Sequence, residues 1–515
     1  MTTNPVRRPA LATLALALLV AGCSTAVRLD DGALPAVPDA FKEASFDGAQ
    51  DRSFDGAQDR SFDGARDRSF DGAQDRPFDG AQDRPAEGRW TAAAPSEAEP
   101  RGAWWKTFGD PVLDELVERA ARANTSVQAA AARLAQSRAV LRGVGADRAP
   151  QVALAAGAVR EAEPLARGRA VSVLSAGASA SWELDLFGRL ARASDAAALD
   201  VGARASLLQS ARLVAQADVA QSYFALRALD VERGILHDTL VAYRDTLQLV
   251  ERRWRAGDVA ELEVARVRSE VAATEAEALA LDGRRATLEH GIAVLVGETA
   301  SRFALAPAAW SGAPPVVPAG VPSTVLARRP DVAAALGQVQ AAQLRVGVAQ
   351  AAWFPSVSLT AAGGFASSEL ADVFKWSARS WLAGALLALP VFDGGRRAAG
   401  VAAARAELDQ GVAGYRETVL VALREVEDEL ASLRLLAGQA EAQARAVDAA
   451  MRATALSQSR WRNGLVSQLE LLDAQRSELR SRRQAVQVRQ SQYRSTVALI
   501  RALGGGWATS ATSGG

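Results

Sequence analysis

Apolar residues in the C-terminal part of the chain follow the period of a coiled coil. They are spaced alternately four and three residues apart at Val419, Leu423, Val426, Leu430, Leu433, Ala437, Ala440, Ala444, Val447 and Met451. This heptad pattern is typical of a helix that packs along a narrow seam. The segment 396–462 around it contains no proline. We therefore predict one continuous helix over 396–462.

An earlier part of the chain predicts the same arrangement. A second long helix is expected over 188–254, and shorter partner helices are expected over 258–296 and 465–503. Gly257 and Gly464 lie where each long helix must reverse into its partner, and glycine tolerates the left-handed backbone of such a turn. Each half of the chain therefore contains a long helical hairpin, and a further helix is predicted over 112–146.

Between the helices, the period changes to two. Apolar and small residues at Leu174, Ala176, Ala178, Ala180, Trp182 and Leu184 alternate with small polar ones, and strands are expected again over 357–361 and 381–391. Small polar residues on one face and apolar residues on the other are typical of transmembrane β-strands. A water-soluble antiparallel sheet is the alternative. We expect the Arg-rich segment 158–170 to form the loop between the first pair of strands.

The chain carries its repeating unit twice. Pro150 corresponds to Pro355 at an offset of 205 residues, and Gly257 corresponds to Gly464 at an offset of 207. Duplication over this length predicts two structurally similar halves. With two strands in each half, one chain supplies four strands, which are too few to close a membrane-spanning barrel. The strands would then require two or three copies of the chain, and periodicity leaves the number open.

The N-terminal residues predict a targeting signal. Arg7 and Arg8 precede a short apolar stretch over 11–20, which is too short to span a bilayer. The following Val-Ala-Gly-Cys sequence resembles a bacterial lipobox ending at Cys23. We expect a lipoprotein signal peptide over 1–22 and a Cys23 that carries N-palmitoyl and S-diacylglycerol groups. By the sorting rule for such proteins, Ser24 favours the outer membrane.

Residues 23–101 are expected to form a tether. Within it, 45–84 contains five near-identical octapeptides of the type SFDGAQDR, with too few apolar residues to offset the entropy of ordering. The repeated aspartates do not have the ligand spacing of an EF-hand loop. We predict a disordered insert, and a disordered tail over 508–515.

Composition narrows the possible functions. The chain has 59 basic and 59 acidic residues, which excludes a strongly basic nucleic-acid-binding protein. A single cysteine and two histidines exclude a Cys-rich or His-rich metal centre. His237 and His290 have no metal-ligand spacing, and we expect Glu425, Glu427 and Glu429 to be solvated on a long helix. No catalytic motif is present, so we predict that the protein is not an enzyme and uses no cofactor other than the lipid.

A family resemblance covers 102–506. It rests on GAWWKTFGDPVLDELVERA (102–120), WELDLFGR (182–189), ARRPDV (327–332), AAWFPSVSL (351–359), PVFDGG (390–395) and RWRNGLVSQLELLDAQR (460–476). In this order, these motifs resemble the TolC-like outer membrane efflux proteins, or outer membrane factors, in the lipoprotein branch exemplified by OprM and NodT. The two family repeats would occupy 102–310 and 311–507.

The resemblance implies a mainly α fold with a small membrane β part. Three chains would form a homotrimer with a twelve-stranded transmembrane β-barrel in outer membrane lipid and a barrel of long coiled-coil hairpins in the periplasm. The implied function is the passive exit duct of a tripartite efflux system, together with a periplasmic adaptor and an inner-membrane pump of the RND type. A channel for type I protein secretion is the alternative.

The resemblance also implies a periplasmic gate beside Gly464. Leu469, Asp473 and Arg476 share one helix face. Three copies of Leu469 would form an apolar constriction, three of Asp473 an acidic ring, and Arg476 would tie neighbouring helices. Trp461 occupies a position where relatives often carry tyrosine, and tryptophan has no phenolic hydroxyl for a gate bond. The alternatives are ordinary helix surface for Leu469 and Asp473, and an intrahelical pair between Arg476 and Asp473.

Overall fold

The computed structural model describes residues 102–162, 170–308, 310, 312–317 and 322–505. The predicted signal peptide at 1–22, the lipidation site Cys23, the tether at 23–101 with its octapeptides at 45–84, and the tail at 508–515 lie outside the described residues. The first described element is a short 3-10 helix over Trp104–Phe108.

The described chain is mainly helical, as predicted. Its helices are α1 (Pro111–Ala123), α2 (Thr125–Ala146), α3 (Arg189–Arg255), α4 (Glu261–Leu295), α5 (Pro322–Arg328), α6 (Pro330–Ala351), α7 (Arg396–Arg462) and α8 (Gln468–Ala502). The long helices α3 and α7 each have 67 residues. Their partners α4 and α8 each have 35 residues and begin three residues later than predicted.

The prediction of one helix over 112–146 is wrong. Asn124 has an extended backbone, with φ −63° and ψ 125°, and separates α1 from α2. Its side-chain oxygen accepts hydrogen bonds from the backbone N–H groups of Ser126 (3.0 Å) and Val127 (3.2 Å). Asparagine is a strong N-cap because it satisfies these otherwise unpaired donors. The sequence Asn-Thr-Ser therefore starts a new helix.

Burial along α7 follows the predicted seam only in part. Val419 and Val426 are fully buried, whereas Ala444 is exposed and Met451 is 44% exposed. Near the end of the seam, the buried residue is Ala450. An α-helix has 3.6 residues per turn, so a strict 3.5-residue repeat drifts around the helix and changes which residue faces the neighbour.

The four strands form one antiparallel sheet in the order β1-β2-β3-β4, namely Gln151–Ala162, Ala170–Leu184, Ser356–Ser367 and Arg379–Ala388. The register places Trp182 opposite Leu359 and Leu184 opposite Val357. Leu387 in turn pairs with Val357. Directly paired residues share a face of the sheet, so the predicted apolar face of β2 continues across β3 and β4.

Two strand predictions require correction. The segment 158–170 is not all loop, because β1 continues to Ala162 and β2 begins at Ala170. The last strand runs from Arg379 to Ala388 and not over 381–391. It ends shortly before Pro390, which has no backbone N–H to donate to a neighbouring strand.

The chain divides into two compact units. Among the described residues, the first contains 130–207 and 334–418, including the sheet. The second contains 102–129, 208–333 and 419–505. Its largest core gathers Leu113, Tyr223, Phe224, Ile292 and Tyr493. None of the helices in the described ranges has a stretch long and apolar enough to cross a membrane.

Glu425 and Glu429 are not simply solvated, contrary to prediction. A carboxylate oxygen of Glu425 accepts a hydrogen bond of 2.7 Å from the buried Arg329. Burial raises the pKa of Glu429 above its usual value. Both glutamates lie on α7 within the second unit, where each is only partly exposed to water.

Candidate functional site

The two helical hairpins of the second unit reverse through equivalent glycine turns. Gly257 has φ 82° and Gly464 has φ 70°, in the left-handed region that favours glycine. In the second turn, the N–H of Gly464 donates to Trp461 O (3.0 Å) and the N–H of Leu465 donates to Arg460 O (2.9 Å). These bonds satisfy the last carbonyls of α7. Ser467 then caps α8 by accepting from the N–H of Glu470 at 3.2 Å.

Trp461 packs inside the hairpin tip. It is 8% exposed and belongs to an apolar cluster with Leu471, Leu472, Val264 and Val267. The Arg253 guanidinium carbon lies 5.3 Å from the centroid of the Trp461 ring, within cation–π range. Trp461 therefore fills the tip core and contacts the end of α3 through its ring face.

Arg476 links α8 to α4. Its guanidinium donates to both carboxylate oxygens of Glu270, with Nε 2.9 Å from Oε2 and Nη2 bonded to Oε1. Nη1 also lies 3.4 Å from Asp473 Oδ1 on its own helix. The hydrogen bond to Glu270 contributes most to raising the pKa of Arg476 above its usual value. The bidentate fork is the strongest geometry available to this pair.

A second ion pair repeats this link one heptad further along. Arg483 Nη1 lies 2.8 Å from Glu277 Oε2, and Arg483 Nε lies 3.7 Å from Glu232 Oε2. Arg476 and Arg483 are seven residues apart, as are Glu270 and Glu277. The same period on both helices places these two arginines of α8 beside two glutamates of α4.

A cavity of about 370 Å³ lies beside the two ion pairs. Its lining includes Glu270, Glu277, Arg476, Arg483 and the side chain of Tyr243 from α3. Burial, followed by the charge of Glu270, raises the pKa of Tyr243 to about 12, against the opposing effect of Arg476. The tyrosine is therefore a neutral hydrogen-bond donor at physiological pH.

The other two predicted gate residues are exposed on α8. Leu469 is 42% exposed, and the Asp473 side chain is 61% exposed. Neither residue is held in the apolar core of the tip, so both are available to contact neighbouring molecules or solute. Within the described residues, no group of three or more His, Cys, Asp or Glu side chains could hold a metal ion.

Sequence reasoning missed Glu270, Tyr243 and the second ion pair. The repeat itself contained a signal for Glu270, because Glu270 and Arg476 are 206 residues apart, close to the repeat offset of 207. Residues separated by almost one repeat lie at the same level of equivalent helices. No comparable signal identifies Tyr243, whose position depends on how α3 packs against α4 and α8.

Comparison with known proteins gives a consistent family match. The family model described as outer membrane efflux protein matches residues 116–298 and 321–505. Each matched range covers one of the two repeats. The chain is 34% identical over 430 residues to the pyoverdine export outer membrane protein OpmQ of Pseudomonas putida, which covers 81% of this chain and 90% of the relative.

A second relative and a solved structure extend the comparison. The solvent efflux pump outer membrane protein SrpC of Pseudomonas putida is 33% identical over 413 residues, covering 78% of this chain and 87% of the relative. The solved structure of the outer-membrane channel OprN is similar with a TM-score of 0.75 and 31% identity, over 81% of this chain and 95% of that one. The similarity therefore extends over nearly the whole described chain.

Proposed function

The chain belongs to the outer membrane efflux protein family, and we propose that the tip of its second hairpin is the gate of the channel. The protein is an outer membrane exit duct of a tripartite efflux system and a passive channel, not an enzyme. Its partners in such a system are an adaptor and a pump. The mainly helical fold predicted by the resemblance, with its few antiparallel strands, is confirmed by the similarity to the solved OprN channel.

The observation that supports the gate is the tie between Arg476 and Glu270. It joins the second helix of one hairpin to the second helix of the other, close to the Gly464 turn. A polar tie between two helices gives a closed state that can be released without unfolding either helix. Asp473, beside the tie, would bring one carboxylate per chain to the channel axis, and Leu469 would narrow the pore there.

Single-channel recordings in planar bilayers test the gate. Arg476→Glu should raise conductance, because it places two carboxylates where an ion pair held the helices together. The matched control is Arg482→Glu, since Arg482 pairs at 3.3 Å with Glu478 of its own helix. The control should conduct like the unmodified channel. Equal conductance of Arg476→Glu and the unmodified channel would place the gate elsewhere.

Asp473 and Leu469 have separate expected effects. Asp473→Ala should weaken block by multivalent cations from the periplasmic side, because an acidic ring concentrates cations at the constriction. Leu469→Gly should raise conductance and leave cation block nearly unchanged, because it removes bulk without removing charge. Full cation block of the Asp473→Ala channel would show that Asp473 does not face the pore.

We further propose that the working form is a homotrimer. Within the described residues, β1 and β4 each pair with one neighbour only and form the two edges of the sheet. Unpaired strand edges tend to pair with another chain. Three chains joined by pairing β1 of one to β4 of the next would give a closed sheet of twelve strands. Native mass spectrometry of the detergent-extracted protein should give the trimer mass; a monomer or dimer would contradict this proposal.

The transported class is proposed to be small molecules, through a pump of the RND type. Support comes from the relatives, whose names refer to pyoverdine export and solvent efflux. Export of polypeptides by a type I system remains the second candidate. Co-expression with an RND pump and adaptor in an efflux-deficient strain should lower dye accumulation. Restored secretion of a type I substrate without a change in dye accumulation would favour the second candidate.

Lipidation of Cys23 is also a proposal, supported by the lipobox and by the absence of any other cysteine in the sequence. Two or more acyl chains bind a membrane stably, whereas one chain binds only marginally. Mass spectrometry of the mature N-terminus should show N-palmitoyl and S-diacylglycerol groups on Cys23. Cys23→Ser should abolish both, and an unlipidated N-terminus in the unmodified protein would overturn the proposal.

A further inference from the structure

Tyr243 is almost fully buried beside the cavity, yet within the described part of the chain its hydroxyl has no hydrogen-bond partner. The residue is 1% exposed and packs with Leu240, Val267 and Leu471 in the apolar cluster of the hairpin tip. Among the described residues, none forms a hydrogen bond with this hydroxyl. Leaving a buried hydroxyl unsatisfied destabilises this state of the protein. Phenylalanine would fill the same apolar site without that cost.

The hydroxyl has a potential acceptor nearby. Tyr243 and Glu270 line the same cavity, which also contains Arg476. The negative charge of Glu270 acts on Tyr243, and the positive charge of Arg476 acts in the opposite direction. Glu277 and Glu478 contribute further negative charge at the tyrosine. The surroundings of Tyr243 thus contain carboxylates, and the one with the largest effect on it, Glu270, is already bonded to Arg476.

Release of Arg476 would leave Glu270 in an unfavourable position. The Glu270 side chain is only 16% exposed, and its two oxygens bond to the Arg476 guanidinium. A largely buried carboxylate that loses its partner is strongly destabilising. A neutral donor that replaced the guanidinium would reduce this cost, because hydrogen bonds to charged groups are stronger than those between neutral groups.

Tyr243 and Glu270 would remain neighbours if α8 moved. They lie on α3 and α4, the two helices of one hairpin. Ion pairs of 2.6 Å between Arg244 and Glu275 and of 2.8 Å between Arg268 and Glu251 join these helices around this level. Movement of α8 alone would separate Arg476 from Glu270 and remove the contact of Tyr243 with Leu471, but it would leave Tyr243 and Glu270 together on their own hairpin. The cavity gives space for a change of the Tyr243 rotamer.

We propose that Tyr243 is a positioning residue of the gate, whose hydroxyl donates to the Glu270 carboxylate after Arg476 has released it. In the closed state, Glu270 is held by Arg476 and the tyrosine hydroxyl is unpaired. In the open state, the tyrosine bond satisfies both groups. Tyr243 therefore lowers the free energy of the open state relative to the closed state. This inference rests on the proposed gate and adds a second partner for Glu270.

Open probability of full-length trimers in planar bilayers tests the inference. Tyr243→Phe should lower the open probability about tenfold, because the open state loses one hydrogen bond to a charged group and the closed state loses an unpaired hydroxyl. The same substitution in an Arg476→Gln background should also lower open probability. The matched control is Tyr415→Phe, at another buried tyrosine, on α7, and it should leave the open probability unchanged.

A Glu270→Ala background separates a bond to Glu270 from simple relief of burial. If Tyr243 acts through Glu270, Tyr243→Phe should have no effect on open probability once Glu270 is replaced. An equal effect with and without Glu270, or no effect in either background, would overturn the inference. The thermal midpoint of each trimer shows whether the variants fold. If Arg476 variants fail to open the channel, the proposed gate is wrong; if they open and Tyr243→Phe has no effect, only this inference is wrong.

Discussion

Asn124 and Arg329 lie at equivalent positions of the two repeats and perform the same structural task. Asn124 Nδ2 donates to the carbonyl oxygen of Leu295 at 2.9 Å, and Arg329 Nη1 donates to that of Ala502 at 3.1 Å. Leu295 and Ala502 are the last residues of α4 and α8. Each repeat thus joins the start of one helix to the end of another. The two repeats use different side chains for this contact.

Arg329 should be the more costly of these two residues to replace. It is 7% exposed and also binds Glu425 (2.7 Å) and Asp331 (2.6 Å), so Arg329→Leu leaves two carboxylates without their partner. We expect a loss of roughly 3–5 kcal/mol in unfolding free energy. Asn124→Ala removes a cap and should cost about 1 kcal/mol. Thermal unfolding of detergent-solubilised trimers measures both, and an equal loss for both variants would contradict this ranking.

Gly297 and Gly504 lie at equivalent positions just after α4 and α8, and replacing either glycine should destabilise the protein. Gly297 and Gly504 have φ of 75° and 85°. A Cβ on them would lie 2.6 Å from the Ala123 carbonyl oxygen and 2.9 Å from that of Arg328, respectively. Gly297→Ala and Gly504→Ala should each lose more than about 2 kcal/mol. The control Gly464→Ala has φ 70° and open space around the added Cβ, so about 1 kcal/mol is expected. Chemical denaturation would reveal equal losses if the backbone contacts were unimportant.

Asp331 should make stability depend on acid pH. Burial raises its pKa, but hydrogen bonding and charge from Arg329 outweigh burial and hold the pKa below its usual value of 3.8. A carboxyl whose pKa is lower in the folded state stabilises the fold above its unfolded pKa, and this contribution is lost as pH falls through the folded pKa. Asp331→Asn should therefore lower the thermal midpoint at pH 7, and the difference from the unmodified protein should narrow below pH 3.8. A difference that widened on acidification would contradict this sign.

The buried ion network around Asp230 should matter more than an exposed ion pair. The Asp230 side chain is 3% exposed and bonds to Arg285 (2.7 Å) and Arg227 (3.2 Å), which in turn donate to carbonyl oxygens of Leu305 and Ala306. Asp230→Asn should cost roughly 3–5 kcal/mol because it leaves buried Arg227 without an anionic partner and leaves Arg285 with Glu289 alone (3.3 Å).

The matched comparison is Arg244→Gln, whose ion pair with Glu275 is about half exposed. Its loss should cost less than about 1 kcal/mol, because water and ions screen exposed charges. Thermal midpoints of the two trimers in the same detergent provide the test. A larger shift for Arg244→Gln than for Asp230→Asn would contradict the expected order of the two losses.

The sequence determined the hairpins because their signals are local. Proline-free stretches and glycine at the turns placed α7 at the same bounds that the structure has, and α3 within one residue. The strand faces followed from alternation, since successive side chains of a strand must point to opposite sides. Motif order identified the family, and the family model matches both repeats.

Only the tertiary structure decided how the predicted gate residues are held. The sequence showed Asp473, three residues away, as a partner for Arg476 and implied a tie to a neighbouring helix without identifying the residue there. The structure keeps the contact with Asp473 and identifies Glu270 as the partner on the other helix. The sequence also did not predict the unpaired hydroxyl of Tyr243 or the salt bridge between Glu425 and Arg329. Local periodicity specifies which face of a helix is apolar. Periodicity does not specify which charged residue of a distant helix lies opposite a given side chain. That depends on the packing and axial register of helices that are separated by long stretches of chain.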